Sequence, residues 1–388
     1  MPATASVTLD VAGLDDLIGV LAADGFTVLG PTVRQGAVVP GRLGSVDDLP
    51  RGWGDDQQPG SYRLRRRDDD ALFGYAADAI SWKAAFFPAR ELVWTGALAD
   101  DGFDVQPGSS TTPLGDPPYA VIGIRSCDLH ALAIHDRVLA ERAVADSSYV
   151  GRRKGAFLVT VVCAEPSGTC FCVSMGTGPR AESGYDLALT ELLDDTGHRF
   201  LVRAGTERGA QVLARLTTRP GSAGDEAAAE DVVAGSVARM GREMDTTDLR
   251  DLLYDNAEHP RWDDVASRCL SCGNCTMVCP TCFCTSVDEH TSLAGTETEH
   301  WRIWDSCFST DFSYLHGGSV RSSPRSRYRQ WMTHKLASWT DQFGTSGCVG
   351  CGRCLTACPV GIDITEEVAA IRADPAPPQE GADRAHRR

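Results

Sequence analysis

Residues 269–280 read Cys269-Leu-Ser-Cys272-Gly-Asn-Cys275-Thr-Met-Val-Cys279-Pro280, and residues 348–359 read Cys348-Val-Gly-Cys351-Gly-Arg-Cys354-Leu-Thr-Ala-Cys358-Pro359. Each is a C-x₂-C-x₂-C-x₃-C-P run, the spacing that ligates a [4Fe–4S] cubane. Three thiolates two residues apart reach three corners of a cube only if the backbone curls round it. The intervening Gly and Asn residues permit that curl, and the fourth cysteine is expected to start a short helix. Zinc sites use paired C-x₂-C knuckles rather than a triple run closed by Cys-Pro, so the chemistry read here is one-electron transfer through iron–sulfur centres.

In two-cluster ferredoxins the fourth cysteine of each run ligates the other cluster. On that pattern Cys269, Cys272, Cys275 and Cys358 hold one cubane, and Cys279, Cys348, Cys351 and Cys354 hold the second. Four further cysteines lie upstream: Cys127 in Arg-Ser-Cys-Asp-Leu-His, and Cys163, Cys170 and Cys172 in Cys-Ala-Glu-Pro-Ser-Gly-Thr-Cys-Phe-Cys. Cys127 and Cys163 each follow an expected strand, where an open α/β sheet places its ligand sites if the two strands are neighbours. Pro-Ser-Gly can bend Cys170 and Cys172 back toward Cys163. The irregular spacing has no unique metal signature, so a third [4Fe–4S] cluster, zinc and plain buried thiols all remain open on the residues alone. Cys282, Cys284 and Cys307 then lack a fourth companion and read as buried free thiols, unless one replaces a ligand assigned elsewhere. His130 and His135 read as surface or supporting residues, and Asp128 as a helix N-cap rather than an acid–base group.

Composition narrows the class. A chain of 388 residues with 42% hydrophobic content suits two or three domains with a sizeable core. The fifteen cysteines are an odd count in a chain too long for a disulfide scaffold, so most read as ligands. Met1 to Asp10 lacks a basic stretch followed by an apolar one, and no segment has the length to span a bilayer, so a cytoplasmic protein is expected. A formal charge of −16 argues against nucleic-acid or anionic membrane partners. The basic segment Arg321 to Arg329 is the local exception, readable as a solvated face, as a docking patch for an acidic partner, or as an electrostatic neighbour that favours reduced clusters. No dinucleotide glycine loop, Walker loop, serine elbow or His-Glu-x-x-His motif is present, and no catalytic residue is assigned.

The elements that must position these residues indicate an α+β chain: an N-terminal α/β domain over 1–218 and a linker at 219–230. A helical region with the ferredoxin-like dicluster module follows over 231–372, and a disordered tail over 373–388. Leu14–Ala23 has helical periodicity, and Phe26–Leu29 reads as a strand broken by Gly30-Pro31. Residues 44–60 read as loop, Arg63–Arg67 as an exposed strand, and Ile80–Phe87 as a helical turn or two stopped by Pro88. Tyr119–Arg125 and Phe157–Val162 read as buried strands, with a helix capped by Asp128 after the first. Leu187–Leu193 and Arg199–Val202 read as a hairpin, with helix as the alternative for Leu187–Leu193. Helix is expected over Met240–Asp263, and because the proposed ligation crosses between the runs, the aromatic- and Arg-rich insertion between them must fold back on the module.

The chain resembles the iron–sulfur β subunit of cytosolic, NAD(P)-linked nickel–iron hydrogenases (sulfhydrogenases) and its relative, the corresponding iron–sulfur subunit of anaerobic sulfite reductase. The likeness covers residues 60 to 370. It rests on Phe73-Gly-Tyr75 with Ser81-Trp82-Lys83 and Phe87-Pro88, on Cys127-Asp-Leu-His-Ala131 with Asp136-Arg137, and on Cys170-Phe-Cys-Val-Ser-Met-Gly-Thr-Gly-Pro179. It continues through Cys279-Pro-Thr-Cys-Phe-Cys284, Trp304-Asp-Ser-Cys307-Phe308, Arg327-Tyr-Arg-Gln330 and both cysteine runs. The resemblance implies an electron-transfer subunit with three cubanes, Cys127, Cys163, Cys170 and Cys172 holding the third. It would stand between a flavin-bearing, NAD(P)H-linked subunit and nickel–iron hydrogenase subunits. Ser126 departs from the proline that relatives often carry there, which bears on loop stiffness rather than ligation. The alternatives are the same relay in an anaerobic sulfite reductase complex, and a stand-alone reductase using the upstream thiols.

Overall fold

The computed structural model describes residues 6–77, 79–100, 102–108, 112 and 114–375. The expected tail lies outside these residues from 376 onward, while Ala373 is the last residue of a helix, Ile364–Ala373. Eight strands form the main sheet, in the order Arg219–Pro220, Val7–Asp10, Gly197–Ala204, Leu187–Asp194, Phe157–Val161, Tyr119–Ile124, Thr27–Arg34 and Ala37–Arg42. The four strands from Leu187–Asp194 to Thr27–Arg34 run parallel, and antiparallel strands flank them. Tyr119–Ile124 and Phe157–Val161 are buried at every position, as parallel strands covered on both faces must be.

The two-residue strand period separates two cores. Val28, Ala120, Ile122, Phe157 and Val159 meet the helix Val11–Ala23 through Leu14, Leu17, Ile18 and Leu21. Leu29, Tyr119, Val121 and Leu158 point the other way, onto Trp82, Phe86 and Leu132. A third core, around Trp262, Tyr328, Trp331, Leu355 and Ile364, belongs to the cysteine-rich C-terminal part and takes in Phe171 from upstream.

Several expectations are corrected. Gly30-Pro31 does not end its strand, which continues to Arg34 in register with Ala37–Arg42. Residues 44–60 are not all loop, because Trp53–Gln58 pairs with Ser61–Arg66. The proposed linker is ordered structure: Arg219–Pro220 adds to the sheet edge beside Val7 and Thr8, and Ala223–Ala238 is a helix. Its alanines and glutamates are good helix formers, and Ser222 and Asp225 start it with a reciprocal capping box. Helix in the next stretch begins only at Leu249. The insertion contributes the hairpin Thr285–Thr291 and Glu297–Trp304, which pairs with Arg90–Ala99 in a four-stranded sheet. The 1–218 and 231–372 segments therefore share a sheet as well as a core.

Asp128 is not an N-cap. The helix Ser126–His135 starts two residues earlier, and the buried Asp128 carboxylate takes two bonds from Arg353 at 3.0 and 2.6 Å. That pair ties the N-terminal sheet to the second cysteine run. A second buried guanidinium, Arg125, donates to the carbonyls of Phe73, Tyr75, Ala76 and Val162 at 2.8–3.2 Å, fixing the ends of two segments beside Cys127 and Cys163.

Asp128→Ala should cost about 3–5 kcal/mol in denaturant unfolding of the anaerobically purified chain, because it strands the Arg353 charge in the interior. Arg125→Leu should destabilise too, with each carbonyl left unpaired costing about 1–3 kcal/mol. A change under about 0.5 kcal/mol in either variant would contradict these roles.

Candidate iron–sulfur centres

The two cysteine runs adopt the same local shape. Gly273 and Gly352 both have φ near +75°, and each precedes a single helical turn, Asn274–Met277 and Arg353–Thr356, that carries the third cysteine. The short helix thus surrounds the third cysteine of each run, and the fourth follows it instead of starting it. The bend also aims backbone N–H groups at sulfur: Ser271 N lies 3.4 Å from Cys269 Sγ, and Gly350 N lies 3.4 Å from Cys348 Sγ. Ile362 N donates to Cys358 Sγ at 3.3 Å. Such donors stabilise negative charge on a ligating sulfur.

Cys269, Cys272, Cys275 and Cys358 line one cavity, with Phe308 and Tyr328 among its walls and Cys354, the third cysteine of the second run, also at its edge. Burial, then the thiols of Cys269, Cys358 and Cys272, raise the Cys275 thiol. The second set gathers likewise. Burial and the thiols of Cys348, Cys351 and Cys279 hold Cys354 well above the usual thiol range, and burial pushes Cys348 up to about 11 and Cys351 to about 12. Free thiols crowded in this way resist ionisation, so iron must displace their protons to bind.

The strands before Cys127 and Cys163 are adjacent, with Ala120 opposite Phe157, which meets the condition for a site at their carboxyl ends. Cys172 is raised by burial and by its neighbours Cys170, Cys163 and Cys351. Cys127 is raised by burial and Asp128, then by Cys351 and Cys172. Cys170 Sγ lies 3.1 Å from Ser167 Oγ and 3.7 Å from the Cys351 carbonyl. The second run seats directly on this segment. A Cβ on Gly350 would come within 2.6 Å of the Phe171 carbonyl, and one on Gly352 within 2.4 Å of the Thr169 carbonyl. Phe171 N donates to Gly350 O at 2.8 Å, and Thr177 Oγ1 to Val349 O at 2.6 Å.

No three His, Cys, Asp or Glu side chains among the described residues converge tightly enough for a single metal ion. A cubane asks for a looser arrangement, because each thiolate binds its own iron. The donor sets, all thiol, with N–H groups at several sulfurs and a cavity inside the first, fit such centres.

The remaining candidates fall into place differently. His130 Nδ1 lies 2.9 Å from the Ser126 carbonyl, a local helix contact. His135 is fully buried against Phe87 and Tyr149 rather than at the surface, and burial pushes its imidazole down to about 3. In the basic segment, Arg325 and Arg329 pair with Glu258, and Arg327 is buried on the carbonyls of Arg321 and Ser322, so three of its charges are used internally. Two site residues were missed by sequence reading: Lys83 and Lys335, both buried beside cysteines. Their signal was a lysine inside an apolar aromatic stretch, Ser-Trp-Lys83-Ala-Ala-Phe-Phe, and within His-Lys335-Leu-Ala-Ser-Trp.

Residues 268–362 match the family model of the 4Fe-4S dicluster domain, which supports two [4Fe–4S] clusters. The chain is similar to sulfhydrogenase 2 subunit beta of Pyrococcus furiosus, with 29% identity over 339 residues, covering 84% of this chain and 94% of that one. No solved structure matches the chain. No helix among the described residues is long and apolar enough to cross a membrane. Over most of its length, and with the dicluster domain, the chain is similar to a hydrogenase beta subunit.

Proposed function

We propose that the chain is a non-catalytic relay that passes single electrons between a flavin-bearing, NAD(P)H-linked subunit and a nickel–iron hydrogenase subunit. Its hydrogenase β relative and its dicluster domain support an iron–sulfur electron-transfer role. The observation that supports it is the cavity that Cys269, Cys272, Cys275 and Cys358 line together with Cys354, cysteines of the two runs about eighty positions apart gathered as cross-ligation would need. In this reading those four hold the first centre, Cys279, Cys348, Cys351 and Cys354 the second, and Cys127, Cys163, Cys170 and Cys172 the third. When bound, each [4Fe–4S] centre exchanges one electron where a flavin handles two.

The protein's own residues set the order. Cys279 of the second set neighbours Cys275 of the first, and Cys351 of the second neighbours Cys127 and Cys172 of the third. The second set is therefore the middle of the path. The backbone N–H groups at Cys269, Cys348 and Cys358 would hold negative charge on sulfur, and Phe308, Tyr328 and Trp331 wall the inner side of the first set, whose Cys272 is exposed.

Cys170→Ser should remove about four irons and four sulfides per chain and one spectroscopic signal, leaving the dicluster signals intact. Unchanged iron would sink the third centre. Given dithionite, the isolated chain should reduce neither protons nor sulfite, and steady turnover of either would make it an enzyme. Neighbouring genes for nickel–iron subunits fit this relay, whereas a neighbouring sirohaem protein would move it to sulfite reduction.

A further inference from the structure

The helix Pro324–Thr333 faces two ways. Arg325 and Arg329, four positions apart and so on one side, both pair with Glu258. Tyr328 and Trp331, three apart, lie on another side and wall the cavity of Cys269, Cys272, Cys275 and Cys358. Both side chains are almost enclosed, Tyr328 at 2% exposure and Trp331 at 5%. Their rings lie 5.4 Å apart, and Phe308 packs on both, 6.3 Å from Tyr328 and 5.9 Å from Trp331. Trp262 adds another aromatic contact to Tyr328 at 6.3 Å, so the phenol is held in place by packing.

Each of these two side chains carries a donor without an acceptor. The Tyr328 hydroxyl and the Trp331 Nε1 are buried, and neither has a hydrogen-bond partner among the described residues. An unpaired buried donor is costly, and folded proteins keep few of them. Packing does not ask for the hydroxyl, since phenylalanine would fill the same ring volume without that cost. Two such donors on one cavity wall imply an acceptor inside the cavity. The groups that act electrostatically on the phenol are Glu367, already engaged by Arg261 and Arg268, and then Cys275, Cys354 and Cys269.

We propose that the Tyr328 hydroxyl donates a hydrogen bond to a sulfur of the first iron–sulfur centre and thereby raises its reduction potential. The inference rests on the reading that Cys269, Cys272, Cys275 and Cys358 hold that centre. Reduction adds one negative charge, and a donor aimed at sulfur stabilises the charged state more than the uncharged one. No proton leaves Tyr328 in this step. The backbone N–H groups of Ser271 and Ile362 act in the same sense at Cys269 and Cys358. Tyr328 differs from them in being a side-chain donor, which a substitution can remove while the fold of the loop is kept.

The test is a redox titration, followed by EPR, of the anaerobically reconstituted full chain and of Tyr328→Phe, which keeps the ring and removes only the hydroxyl. Cys272→Ala, a change at the exposed cysteine, marks the first centre as the dicluster signal it alters. Tyr328→Phe should keep its iron and sulfide. At a fixed poise its first centre should shift about threefold toward the oxidised form, ~28 mV lower for one electron, with the other centres unmoved. A retained first centre of unchanged potential overturns the proposal. Should Tyr328→Phe lose that centre, 3-fluorotyrosine at position 328 decides: its more acidic hydroxyl is the stronger donor and should raise the potential, and no rise overturns the proposal. If Cys272→Ala alters neither dicluster signal, the first centre of the relay has failed and the inference fails with it. If it alters one and Tyr328→Phe moves nothing, the inference fails alone.

Discussion

The seating of the second cysteine run on the segment around Phe171 is the contact on which the other features depend. Gly350 and Gly352 let the two backbones touch, where any side chain would strike a carbonyl. The Asp128–Arg353 pair locks the same loop to the first helix after the central strand. If that loop shifted, Cys358 would leave the cavity it shares with the first run, and Cys351 would leave Cys127 and Cys172. Three sets of thiols are thereby aligned by one docking event.

Electrostatics explains why the surroundings look as they do. Fifteen cysteines in a chain of charge −16 concentrate potential negative charge in one region, and an iron–sulfur centre adds more. The interior answers with cations and dipoles: Lys83, Lys335, Arg353 and Arg125, and N–H groups turned onto sulfur. Buried charge of this kind is expensive without its counterpart, so these residues fit a protein whose centres are filled. The basic segment at Arg321–Arg329 spends much of its charge internally on Glu258 and on its own backbone, which weakens its reading as a docking patch.

Much of the architecture was legible in the chain. Continuous apolar runs marked Tyr119–Ile124 and Phe157–Val161, and turn chemistry marked the hairpin at Asp194–Gly197. Residues 219–230 misled because Ala, Gly, Ser and Asp suit a flexible linker and a capped helix equally. Gly30-Pro31 misled because pairing with Tyr119–Ile124 covers only Thr27–Leu29, which leaves Pro31 with a strand partner on one side alone, as at a sheet edge. Asp128 looked like a cap because its partner, Arg353, lies 225 positions away.

The sequence by itself determined which thiols belong to ferredoxin-type runs, because cubane geometry is encoded in local spacing. It also determined the parallel-strand core, because burial on both faces leaves uninterrupted apolar stretches. Only the tertiary structure decided that the strands before Cys127 and Cys163 are neighbours, and that two lysines lie among the thiols. It likewise decided that Cys307 lies against Cys284 at the base of a hairpin and Cys282 against Cys279. The physical reason is the same in each case: a local pattern reports the conformation a segment prefers, whereas a buried charge or a lone cysteine acquires meaning only from the distant groups that packing brings against it.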